Sequence, residues 1–126
     1  MSAGMHSEIG IDVVETDRFS GILSSRGEDF LERLFTERER RPGGGADRYA
    51  RLFAVKEAVM KCLGTGLSAG VGWHDIEVMD SPGSRPDVIL SGAALALAGD
   101  AEVSVSLCGT GDGVLALAVL QQGDGE

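Results

Sequence analysis

The stretch "RLFAVKEAVMKCLGTG", Arg51 to Gly66, decides how the rest of the chain is read. Wound at about 100° per residue, it is apolar almost all the way round. Leu52, Ala54, Val55, Ala58, Val59, Cys62 and Leu63 cover one broad arc, and Phe53 and Met60 extend it. A helix with so little polar surface is a buried helix. Gly64 supplies its stop. Glu57 and Lys61, four residues apart, share the narrow polar strip, whereas Lys56 falls inside the apolar sector. Charged groups on a buried helix need partners, and those partners must come from elsewhere in the chain.

Upstream, "EIGIDVVE" reads as a strand with Ile9, Ile11 and Val13 on one face and Gly10, Asp12 and Val14 on the other. Thr16 or Asp17 is positioned to cap a following helix carrying Phe19, Ile22 and Leu23. "SSRGED" interrupts that helix and "FLERLFTERERR" resumes the helical pattern as one segment. "PGGGAD" then breaks it, with Asp47 a candidate cap for the buried helix. Downstream, "WHDIEVMD" and "PDVILSG" read as strands of a hairpin joined by "SPGSR". "SGAALALAG" is a short helix of small residues. "AEVSVSL" and "VLALAVLQQ" are strands joined by the turn "GTGDG". The order β-α-α-α-β-β-α-β-β predicts an α+β fold with a mostly antiparallel sheet packed with helices.

At 126 residues and 43% hydrophobic content, residues 1–126 are expected to form one domain, with 1–7 and 122–126 frayed. No run approaches the roughly 18 apolar residues of a membrane span. The first ten residues lack the basic and apolar regions of a secretion signal. Cys62 and Cys108 have no metal-ligand spacing. A reduced, cytoplasmic protein is expected. The formal charge of −9 argues against nucleic acid as a partner. Between Arg18 and Arg51, however, eight arginines face six acids, which reads either as a solvated helical face with internal ion pairs or as a docking surface for something anionic.

Asp12 and Glu57 stand out because each is an acid embedded in apolar sequence. Separately, Asp12 could cap a turn and Glu57 with Lys61 could be an ordinary i,i+4 pair. Brought together in a core, the two carboxylates would repel unless a cation joined them. Magnesium suits such an oxygen-donor pair, and a neighbouring lysine is a natural phosphate partner. His6 and His74 have no acid or cysteine partner in the sequence, and His74 beside Trp73 reads as loop packing. "GTGLSAGVG" and "GTGDG" match neither a phosphate loop nor a dinucleotide fingerprint.

From Ile9 to about Leu120 the chain resembles the holo-acyl-carrier-protein synthases, small 4′-phosphopantetheinyl transferases. "IGIDVVETDRF" is similar to the first family motif, Gly-x-Asp followed by an Arg; "FAVKEAVMKCLGTG" is similar to the second. "WHDIEV", "SRPDVILSG" and "VSVSL" follow in family order. The resemblance implies transfer of phosphopantetheine from coenzyme A to a serine of an apo acyl carrier protein, in a fatty acid, polyketide or other specialised pathway. Adenosine 3′,5′-bisphosphate is released, and a carboxylate or metal-bound water takes the serine proton. It implies magnesium on Asp12 and Glu57, which with Lys61 would be catalytic. Lys56, Lys61, Gly64, Pro86 and Thr110 would bind coenzyme A, with Lys56 sitting beside the site and orienting it, and Arg18 and Arg26 would bind the carrier protein. It also implies a homotrimer with each site at a subunit boundary. Leu52 and Gly109 depart from the family, which usually has arginine and histidine there as phosphate contacts. Arg51, turned about 100° from position 52, is not expected to substitute. These departures support an alternative: a non-catalytic member that binds a carrier protein or assembles with partner enzymes.

Overall fold

The computed structural model describes residues 7–64, 70–81 and 83–122. Strand β1 (Ser7–Glu15) is followed by helices α1 (Thr16–Arg26), α2 (Glu28–Leu34), α3 (Glu37–Arg40) and α4 (Ala46–Leu63). A hairpin of β2 (Ile76–Met79) and β3 (Asp87–Leu90) comes next. It is followed by helix α5 (Gly92–Ala98) and a second hairpin of β4 (Glu102–Gly109) and β5 (Gly113–Gln121). The sequence expectation of an α+β fold is met, in two antiparallel sheets rather than one: a three-stranded sheet ordered β1-β5-β4 and the separate β2-β3 pair.

Alternation along the strands decides which face meets the helices. Gly10 and Val14 of β1, Val114, Ala116 and Ala118 of β5, and Val105 of β4 turn inward and are buried. Helix α4 lies across this face, with Leu52, Ala54, Val55, Ala58 and Val59 at most 1% exposed. Its closest approach is to β1. A Cβ built on Gly10 would overlap the Ala58 carbonyl oxygen and come within 2.9 Å of the Cys62 nitrogen, so only glycine lets helix and strand meet there. The Cys62 thiol, held up by burial, bonds the Ala118 carbonyl of the next strand at 3.1 Å.

Three local expectations are corrected. The segment from Phe30 to Arg41 is not one helix. Phe35 is extended and buried, and Thr36 restarts the chain with a reciprocal cap: its hydroxyl accepts from the Glu39 N–H and its own N–H donates to Glu39. Thr16 and Asp17 lie in the first turn of α1 and Asp47 in that of α4. The cap positions belong to Glu15 and Gly45, neither with a side-chain bond. Trp73–Asp75 form a 3-10 turn ahead of β2. Residues 1–6, 65–69 and 123–126, which include His6, most of "GTGLSAGVG" and most of the termini read as frayed, lie outside the described residues.

The charged run "TERERR" also hides a core residue. Glu39 is 1% exposed and pairs with the fully buried Lys56 at 2.9 Å. Lys56 uses its other two donors on the Trp73 and Ile76 carbonyls, at 2.9 and 2.6 Å. The remaining oxygen of Glu39 accepts the Val78 N–H at 2.7 Å. Burial holds the Lys56 ammonium below its ordinary pKa, and the Glu39 carboxylate opposes that shift.

Candidate active site

Gly10 lets β1 touch α4, and Asp12, two residues on and on the same face, is carried to the polar strip of the helix. Lys61 donates to the Asp12 carboxylate and to the Ile11 carbonyl, both at 3.0 Å. Its side chain remains about half exposed, whereas that of Asp12 is 11% exposed. Glu57, one turn before Lys61, also lies against Asp12. The three residues singled out as catalytic therefore converge despite the 45 positions between Asp12 and Glu57.

The pair is electrostatically incomplete. Asp12 Oδ2 is buried and accepts no hydrogen bond among the described residues. Only a protonated Glu57 could donate to Asp12. Burial first, then that hydrogen bond and the Asp12 charge, push Glu57 up to about 7, against a smaller opposing pull from Lys61. A buried, unpartnered carboxylate oxygen beside a second carboxylate is a donor set that fits a hard divalent cation. Asp12 and Glu57 would hold it, leaving room for water and phosphate oxygens.

Without a cation, the pair costs stability. The folded protein holds a proton on Glu57 that the unfolded chain, with an ordinary value of 4.5, has released. Stability from this group is therefore complete below about pH 4.5 and is lost as pH rises through 7. Glu57 is partly solvated, so the loss is about 1–2 kcal/mol. Glu57→Gln is expected to melt a few degrees higher than wild type at pH 8 and equally at pH 4.5 in chelator. Thermal melts at both values check this.

Arg18 of α1 lines the same cleft as Glu57, with Phe19, Ile22 and Phe53, in a space of about 410 Å³. Arg26, at the far end of α1, lies over the Phe30 ring at 5.3 Å. Gly64 closes α4 with φ 88°, its N–H bonded to the Met60 and Lys61 carbonyls. Pro86 lies elsewhere, in a cleft of about 760 Å³ with Arg51, Arg85, Ser84 and Ser106. Thr110 sits in the β4–β5 turn, its N–H bonded to the Gly113 carbonyl at 2.9 Å. The cleft at Glu57 includes neither Pro86 nor Thr110. Lys56, expected beside the coenzyme, is corrected: all three of its protons are spent inside the core on Glu39, Trp73 and Ile76. His74 contacts the Glu32 carbonyl at 2.7 Å, consistent with packing.

The reading of Leu52 and Arg51 also changes. Leu52 is 1% exposed, so an arginine there would enter the core of this chain. Arg51 is exposed and lines both the Pro86 cleft and a second cleft bordered by Gly109 and Gly111. Gly109 has no positive φ and open space where a Cβ would stand, so its lack of a side chain is not forced by the hairpin. The residue that sequence reasoning missed is Glu39, hidden in a charged run. Gly10 carried a signal, a glycine within a β-branched strand.

Known proteins resemble this chain in sequence and fold. The profile of the 4′-phosphopantetheinyl transferase superfamily matches residues 8–118. A holo-[acyl-carrier-protein] synthase of Geobacter metallireducens is 40% identical over 120 residues, covering 90% of this chain and 95% of the relative. One from Rhodopseudomonas palustris (strain BisB5) is 43% identical over 96 residues, covering 70% and 69%. Among solved structures, the holo-[acyl-carrier-protein] synthase of Helicobacter pylori in complex with coenzyme A superposes with a TM-score of 0.79. It has 27% identity and covers 89% of this chain and 98% of that one. The Neisseria meningitidis enzyme gives 0.78 at 29% identity, covering 91% and 98%. With a profile match that spans both the Asp12 strand and the Glu57 helix, the chain belongs to the 4′-phosphopantetheinyl transferase superfamily.

Proposed function

We propose that this protein is a magnesium-dependent holo-acyl-carrier-protein synthase. Its substrates would be coenzyme A and an apo acyl carrier protein. The observation that carries the reading is the buried, unpartnered Asp12 Oδ2 facing Glu57 beside Lys61. The relatives' names and the coenzyme-bound Helicobacter pylori structure supply the substrate class.

In the reaction, the carrier serine oxygen would form a bond to the pantetheine-side phosphorus, its proton passing to a carboxylate of the site or to water. The bond from that phosphorus to the bridging oxygen breaks, and adenosine 3′,5′-bisphosphate leaves. Asp12 and Glu57 would hold magnesium, which would neutralise the charge that develops on the pyrophosphate. Lys61, half exposed and anchored on Asp12, would reach a phosphate oxygen. Arg18, at the rim of the Glu57 cleft, presents a cation to the acidic carrier, with Arg26 further along the same helix. Arg51 is proposed as the phosphate contact in place of position 52, alongside Pro86. The non-catalytic alternative rests on Leu52 and Gly109; the synthase names of the relatives favour the catalytic reading. Incubation with coenzyme A, magnesium and a panel of apo carriers, read by intact mass, tests the function. Addition of one phosphopantetheine to a carrier supports it; unmodified carriers throughout would sink it.

We also propose a homotrimer. The outward face of the three-stranded sheet carries Ile9, Ile11 and Val13 at 63, 51 and 58% exposure, opposite Val119, Leu117 and Leu115 in register. An apolar row of this kind favours burial against another copy. Light scattering at micromolar concentration should give three chain masses, and Ile11→Asp should lower that mass. A wild-type monomer would refute the assembly.

A further inference from the structure

The pair Lys56–Glu39 takes no part in the reaction described above, yet Lys56 immediately precedes the proposed metal ligand Glu57. We infer that Lys56 and Glu39 are positioning residues, which fix the rotation of α4 about its own axis and so hold Glu57 against Asp12. This rests on the proposed metal site.

The geometry is that of a clamp with three holds. On α4, Lys56 reaches away from the Asp12 side and spends one donor each on Glu39, the Trp73 carbonyl and the Ile76 carbonyl. Glu39 is tied in turn to the Thr36 N–H at 2.8 Å and the Val78 N–H at 2.7 Å. Helix α3, the 3-10 turn and β2 thus grip α4 at the residue before Glu57. On the opposite side, the Gly10 contact fixes how near α4 lies to β1, but a glycine gives no lever against rotation. A rotation of about 10° moves a carboxylate at about 6 Å from the axis by roughly 1 Å. That displacement is enough to spoil a two-carboxylate ligand set. A buried ion pair is also a poor device for stability alone, since neutral replacements of similar volume are often no less stable.

The test uses the full chain. Manganese affinity by electron paramagnetic resonance is measured for wild type, Glu39→Gln and Lys56→Met/Glu39→Gln, with Val105→Ala as a core variant remote from the clamp. The expected result is a roughly 10- to 100-fold loss of manganese affinity in both clamp variants. Val105→Ala should bind as wild type at a comparable loss of melting temperature. Crystal structures of the metal-free variants should show the Glu57 carboxylate displaced from Asp12. Wild-type manganese affinity in Glu39→Gln, or an unmoved Glu57, would overturn the inference. Should the double variant not fold, Glu39→Gln decides alone. If wild type itself bound no manganese, or bound it equally well with Asp12→Ala, the metal-site reading would fail instead. The position of Glu57 in the metal-free structures would then decide the clamp by itself.

Discussion

Asp12→Ala is expected to cut phosphopantetheine transfer by roughly a thousandfold or more, the kinetic equivalent of about 4 kcal/mol. The protein should nevertheless stay folded. Asp12 pairs with Ala116 through its backbone, which alanine keeps, and its side-chain partner Lys61 is half exposed. Removing the Asp12 charge also relieves Glu57, so the melting temperature in chelator should be unchanged or slightly higher. Intact-mass assays of carrier modification, with a thermal melt on the same sample, separate the two effects. A variant that unfolds would show that Asp12 is structural; one that transfers at the wild-type rate would remove it from the site.

Gly10→Val should be the most damaging single change to the fold. The new side chain would meet the Ala58 carbonyl and the Cys62 backbone, neither of which can swing aside as a side-chain tip can. Helix α4 would have to lift from β1, opening the core and separating Asp12 from Glu57. A loss of about 3 kcal/mol or more is expected, with transfer lost as well. Gly21→Ala is the contrast. Gly21 lies in α1 with nothing within 4 Å of a built Cβ, and alanine there should gain about 0.5–1 kcal/mol. Urea denaturation of both variants checks the pair. Equal stability for Gly10→Val and wild type would contradict the close strand–helix contact.

Much of this was legible in the chain because period and composition are local properties. The α4 pattern announced a buried helix, and the alternation of "VSVSL" placed Val105 inward and the serines outward, as observed. Asp12 and Glu57 were visible as acids in apolar surroundings, and the family resemblance joined them across the chain. What stayed hidden depends on long-range packing. Glu39 sits among Glu37, Arg38 and Arg40 with nothing in the sequence to distinguish it, and only the fold brings it against Lys56. Lys56 adjoins Glu57 in sequence but points away from the site, because one helical step turns a side chain by about 100°. The same step separates the two neighbours at positions 51 and 52. It turns position 52 into the core and position 51 onto the Pro86 cleft, which could not be known before the helix had a neighbour. The division into two sheets escaped for a similar reason. Hairpins are local, but which hairpin joins β1 is a matter of tertiary contact.

The central claim is that Asp12 and Glu57 hold a divalent cation on which phosphopantetheine transfer depends. The most direct test follows transfer to an apo carrier by intact mass, on wild-type protein stripped with chelator and then titrated with magnesium. No transfer is expected in excess chelator and full recovery on adding magnesium, with no recovery at the same concentrations in Asp12→Ala or Glu57→Gln. Transfer at the full rate in excess chelator would contradict it.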